Sequence, residues 1–151
     1  MKKFLIPVII IISAIFNAGA QERLTVSVAP PQGITHENAA TTLTSNLKQA
    51  LVLNDAASDK SRFVLNSKAA VISKDVTATA PVMYVTEIEL SLFITDTVTG
   101  DVISQTSFTV KGIADNDKSS YMDAIKKVKA RDPKLRAMIS QAKEYFEEHI
   151  Y

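Results

Sequence analysis

Cysteine is absent from all 151 residues. That removes disulfides, thiolate nucleophiles, zinc–thiolate clusters and iron–sulfur centres together. It also removes the acceptor for an acylated-cysteine lipid anchor, so none is expected. Histidine is scarce, with only His36 and His149, whereas a metal site normally needs three or four converging ligands. His36-Glu37 opens like a zinc-protease helix motif, but position 40 is Ala where the second histidine would stand. No metal or other cofactor is expected. Four glycines, one of them Gly19, are too few for a phosphate-cradling loop. A basic excess is missing as well: 17 Lys and Arg face 16 Asp and Glu. The densest basic group, Lys126, Lys127, Lys129 and Arg131, is interrupted by Val128 and followed by Asp132. It reads as a solvated helix face, and no nucleic-acid partner is indicated.

The remaining composition, 46% hydrophobic and 22% charged, is the balance of one globular domain. Its first twenty residues differ from the rest. Lys2 and Lys3 precede an apolar run, Phe4 to Phe16, and Asn17-Ala18-Gly19-Ala20 closes it with small residues. A basic start, an apolar core and small residues at the −3 and −1 positions make a secretory signal, with cleavage expected after Ala20. The run is too short for a spanning helix, which needs about 20 apolar residues. The expected organisation is a signal peptide at 1–20 and a single α+β domain at 21–151, exported to the periplasm or beyond. Loss of Lys2 and Lys3 leaves 15 basic against 16 acidic residues in that domain. Its length suffices to bury roughly two-thirds of the unfolded surface without disulfides.

Periodicity then divides the domain. Leu24 to Ala29 alternates apolar and small polar residues and predicts a strand, stopped by Pro30-Pro31-Gln32-Gly33. Ala40, Leu43, Leu47, Ala50 and Leu51 have helical spacing within 34–53, with Thr35 or Asn38 as the expected N-cap. A surface loop, 54–61, leads to a strand at Arg62-Phe63-Val64-Leu65, and Ala69 to Ile72 forms a weaker apolar patch. The plainest strand runs from Val82 to Asp96. Ile88, Leu90, Leu92 and Ile94 share one face, and Glu87, Glu89, Ser91, Phe93 and Thr95 share the other. Thr97 to Asp101 is a turn whose Gly100 can take positive φ, so Val102 to Lys111 should pair antiparallel with Val102, Phe108 and Val110 on one face. Ser120 to Asp123 has capping-box form and opens a helix carrying Tyr121, Ile125 and Val128. Asp132-Pro133 starts the last helix, 134–150, striped by Leu135, Met138, Ile139, Ala142, Tyr145, Phe146, His149 and Ile150. The predicted order is β-α-β-β-β-α-α: an α+β fold, its mixed or antiparallel sheet of about four strands covered by helices.

Catalytic constellations are sparse. No G-x-S-x-G sequence occurs. Glu87 and Glu89, two apart on one strand face, are the minimum for a glycosidase-like pair or a hard cation. Alternating polar residues on an outer strand face produce the same pattern, and that reading is favoured. Glu147-Glu148 is expected on the wet side of the last helix. His36 is expected exposed in a first helical turn, and His149 at the edge of the apolar stripe. Tyr145 and Phe146 are expected in the core and Tyr151 at a frayed end, although the three together could form an aromatic contact surface.

The element order, with Leu24–Ala29, Leu47-Lys48-Gln49-Ala50-Leu51, Arg62-Phe63-Val64-Leu65 and the turn Asp96-Thr97-Val98-Thr99-Gly100-Asp101-Val102, resembles a known α/β domain. It is shared by the TolB amino-terminal region, the curli-secretion protein CsgG and lipoprotein activators of penicillin-binding proteins. The resemblance implies a non-enzymatic envelope accessory protein that binds or assembles with another envelope protein or a cell-wall component. The membrane-spanning pore segments of CsgG have no counterpart in this chain. The runner-up reading is a small secreted hydrolase using Glu87 and Glu89.

Overall fold

The computed structural model describes residues 23–149. The expected signal peptide and its cleavage after Ala20, together with Ile150 and Tyr151, lie outside the described residues. Seven elements follow in the order β1 (Val26–Val28), α1 (Glu37–Leu53), β2 (Phe63–Val76), β3 (Tyr84–Asp96), β4 (Val102–Ala114), α2 (Asp117–Lys126) and α3 (Pro133–His149). The fold is α+β, and this is the predicted order. The sheet runs β1-β2-β3-β4 in space: β1 is parallel to β2 and the other neighbours are antiparallel. It is therefore mixed, because the β1–α1–β2 crossover returns the chain in the same direction, whereas the hairpins reverse it.

One sheet face is covered by helices and the other is open. Ile88, Leu90, Leu92 and Ile94 are fully buried and meet Leu43, Leu47 and Leu51 of α1, Tyr121 and Ile125 of α2, and Leu135, Met138 and Ile139 of α3 in one core. Burial of each such side chain contributes roughly 2 kcal/mol before the entropy of ordering it.

Several boundaries differ from the periodicity reading. Helix α1 begins at Glu37 with His36 as N-cap, and neither Thr35 nor Asn38 caps it. The preceding residues are held extended, because the Gln32 amide donates to the Ser67 carbonyl and its own carbonyl accepts from the Ala69 amide. Ala39, one position from the expected Ala40, is the alanine that is buried. The two apolar patches of β2 belong to one strand of 14 residues, with a bulge between Val71 and Ser73. Polar residues between them are tolerated because β3 pairs with β2 along its length. A second bulge, between Ile94 and Thr95 of β3 and their partners Ser104 and Val102, inserts Ile103 into β4. It turns Val102 to the open face, away from Phe108 and Val110. Helix α2 starts three residues before the expected Ser120, because Asn116 Oδ1 accepts from the Ser119 amide and caps it first. Entry into α3 is as the Asp-Pro pair predicts: the Lys134 amide donates to Asp132 Oδ1 at 2.8 Å.

Candidate functional site

The paired carboxylates occupy the open sheet face. Glu87 is half-buried between Ser73 of β2 and Lys111 of β4, and it accepts from Ser73 Oγ at 3.4 Å. Glu89 is exposed and borders a hollow of about 510 Å³ with Ser91, Phe93, Gln105 and Lys134. Glu87 does not line that hollow, so the two acids do not converge on one concave site. Among the described residues no three His, Asp or Glu side chains are grouped to hold a metal ion.

The histidines sit far from each other and from the acids in the chain, and each has a packing role. His36 is half-buried, not exposed as expected: its ring meets the Tyr121 ring edge-on, with centroids 4.9 Å apart. Burial raises the Tyr121 hydroxyl above its ordinary pKa. His149 is exposed and stacks on Tyr145 at 4.1 Å. Phe146 packs edge-on against Phe63 with centroids 5.8 Å apart, which ties the end of α3 to the sheet.

A concave site lies elsewhere, between β1 and α1. A groove of about 630 Å³ is lined by Val28, Pro30 and Pro31 on one side and by Ala40, Thr44 and Lys48 on the other. Its helix wall also includes Glu37, Thr41 and Ser45, the solvent stripe opposite the buried Leu43 and Leu47. A second hollow, of about 330 Å³, shares Val28 and Lys48 and continues toward Ala57, Ser58 and Asp59. The floor between them is a sheet edge. In β1 the Val26 amide donates to the Ala56 carbonyl and the Val26 carbonyl accepts from the Ser58 amide, whereas Ala29 turns inward to donate to Leu65. Alternation therefore directs the Val28 N–H and C=O away from β2, into the groove. Segment 56–58 already adds a short parallel bridge beside Val26, and Val28 is the next position along that line. Beyond it, Pro30 has no N–H, which limits the free edge to one residue. Lys48 has no ion-pair partner among the described residues and stands where the two hollows meet, with Glu37 and Asp59 toward the ends.

The periodicity reading missed this groove. It recognised the strand, the Pro-Pro stop and the helix, but the groove arises from how far α1 stands from the free edge of β1.

No family model and no curated protein matches the chain. Solved structures do. A Xanthomonas campestris protein assigned to the family model DUF330 is 12% identical over 85% of this chain and 90% of its own, with a TM-score of 0.53. The minor lipoprotein of Acinetobacter baumannii is 12% identical over 80% of this chain and 94% of its own, with a TM-score of 0.49. The PelC dodecamer of Paraburkholderia phytofirmans is 17% identical over 71% of this chain and 84% of its own, with a TM-score of 0.43. The first likeness establishes a shared fold.

Proposed function

We propose that the protein is an exported accessory of the bacterial cell envelope that binds, without catalysis, an extended segment of another envelope protein in the β1–α1 groove. The observation that carries this reading is the hydrogen-bonding pair of Val28, without a partner among the described residues, on the floor of a partly apolar groove. An extended backbone satisfies such a pair by strand addition, while alternate side chains enter the flanking hollows. The occupant continues the line of residues 56–58 and places a carboxylate against Lys48, the unpaired charge at the centre. Export rests on the signal-like residues 1–20. The resemblance to the TolB and CsgG domain supports an envelope role.

Selection of random heptapeptides on the purified protein tests this. Bound peptides should be extended, carry Asp or Glu near the centre, and slow hydrogen exchange at the Val28 amide. Replacing Ala40 with Trp should fill the groove and lower their affinity at least tenfold. Lys48→Glu should reverse the preference from acidic to basic peptides. Binders indifferent to both substitutions would place recognition elsewhere and end this reading.

A further inference from the structure

Among the described residues ten large apolar side chains are exposed, and six of them gather in one region. Val71, Ile72, Val76, Val82, Tyr84 and Ile113 all belong to the far end of the β2–β3 hairpin and the adjoining end of β4. Clustered exposure of this kind marks a contact surface, whereas scattered single residues would not. The run 76–86 contains no Asp, Glu, Lys, Arg or His. Charges resume abruptly at its base with Lys74, Asp75 and Glu87, and Lys74 pairs with Asp117 at 3.2 Å.

Two features identify what the tip contacts. First, it is apolar on both faces. Tyr84 pairs with Val76 and shares the helix-side face with Thr86 and Ile88, whereas Ile113 pairs with Val85 on the opposite face. A rigid protein partner would cover one face; a medium that surrounds the tip covers both. Second, its hydrogen bonds close the neck of the turn and leave amides open only at the apex, which sets a shallow depth. The Thr77 amide donates to the Met83 carbonyl at 2.8 Å, and the Met83 amide donates to Thr77 Oγ1 at 2.9 Å. The Thr79 hydroxyl lies 2.6 Å from that of Thr77 and donates to the Pro81 carbonyl at 3.0 Å, while Pro81 has no N–H to satisfy. The amides of Ala78, Thr79, Ala80 and Val82 have no partner among the described residues, which holds the apex within reach of headgroup oxygens and water, since each unmet group in hydrocarbon is costly.

We infer that the tip of the β2–β3 hairpin, residues 76–86, seats shallowly in a phospholipid surface, with Tyr84 at headgroup level and the charged base in water. The span from Thr86 to the turn, roughly 10 Å at strand rise, matches the 5–10 Å depth of interfacial insertion. Since lipids and a second copy of the chain could both cover apolar surface, the experiment separates them.

The chain has no tryptophan, so Tyr84→Trp introduces a single reporter that reads the tip independently of residues 1–20. With phosphatidylcholine vesicles containing phosphatidylglycerol, its emission should shift to the blue, and brominated phosphatidylcholine should quench it by at least half. A Phe93→Trp reporter on the open sheet face should show neither effect. Adding Val82→Asp to Tyr84→Trp should abolish the quenching with an unchanged melting temperature, because Val82 is exposed and outside the core. Unquenched Tyr84→Trp, equal quenching at position 93, or a blue shift that follows protein concentration without lipid would each overturn the inference. The last of these would assign the tip to self-association.

Discussion

At the scale of single residues, the Arg62–Asp96 pair shows how a surface turn is fastened to the sheet. Asp96 closes β3 and is 1% exposed, yet it is ionised, because Arg62 binds both of its oxygens at 2.7 Å and the Val98 amide donates to Oδ1 at 3.0 Å. The Arg62 guanidinium is the main cause that lowers the Asp96 carboxyl from 3.8 to about 2. A carboxyl depressed on folding stabilises the native state above its unfolded pKa and loses that contribution as pH falls through the folded value. Thermal stability should therefore drop between about pH 4 and pH 2. Asp96→Asn should remove much of that dependence and cost about 2 kcal/mol at neutral pH, measured by urea titration. A titration unchanged in both respects would show that the pair contributes nothing. Asp96 was legible as the start of a hairpin turn, but its partner 34 positions away was not, since only the alignment of β2 with β3 brings them together.

At the scale of elements, the seat of α2 on β4 depends on a glycine. A Cβ on Gly112 would collide with the Ser120 carbonyl oxygen and the Ala124 amide nitrogen, both backbone atoms that cannot rotate aside. Gly112→Ala should cost about 3 kcal/mol by displacing the helix, seen as a lowered denaturation midpoint. Retention of wild-type stability would mean that α2 shifts freely. The same contact explains the protection of β4, an edge strand of 13 residues. Lys134 Nζ donates to the Ser107 carbonyl, Lys127 Nζ to the Lys111 carbonyl, and Asp123 accepts from the Ile113 amide at 3.0 Å. Side chains from α2, α3 and the segment joining them thus occupy an edge that would otherwise recruit another strand. Replacing Lys127 and Lys134 together with Met should increase self-association, and light scattering at matched concentrations would detect it; a mass identical to wild type would count against this role. Asp123 was expected in a capping box; instead it serves the neighbouring strand, because Asn116 already caps the helix.

At the scale of the whole molecule, one core joins three helices to one sheet face. Leu90→Ala at its centre should cost about 3 kcal/mol, whereas Glu89→Ala on the open face, one residue away, should stay within about 0.5 kcal/mol. Comparable losses in the two unfolding curves would contradict the one-sided core. Much of this layout was legible without coordinates. The alternation through Ile88, Leu90, Leu92 and Ile94 and the stripe through Leu135, Met138 and Ile139 each commit one face to burial, and a one-sided sheet must take a helical cover. Absence of cysteine and a scarcity of histidine likewise removed whole chemistries before any fold was considered. Left open by the sequence were the properties that depend on distance between separate elements. The free Val28 edge facing α1, the Arg62 clamp on Asp96 and the two-sided apolar tip all arise from strand register and helix placement. Periodicity reports which face of an element is buried; tertiary packing alone decides which neighbour covers it and which edges it leaves uncovered.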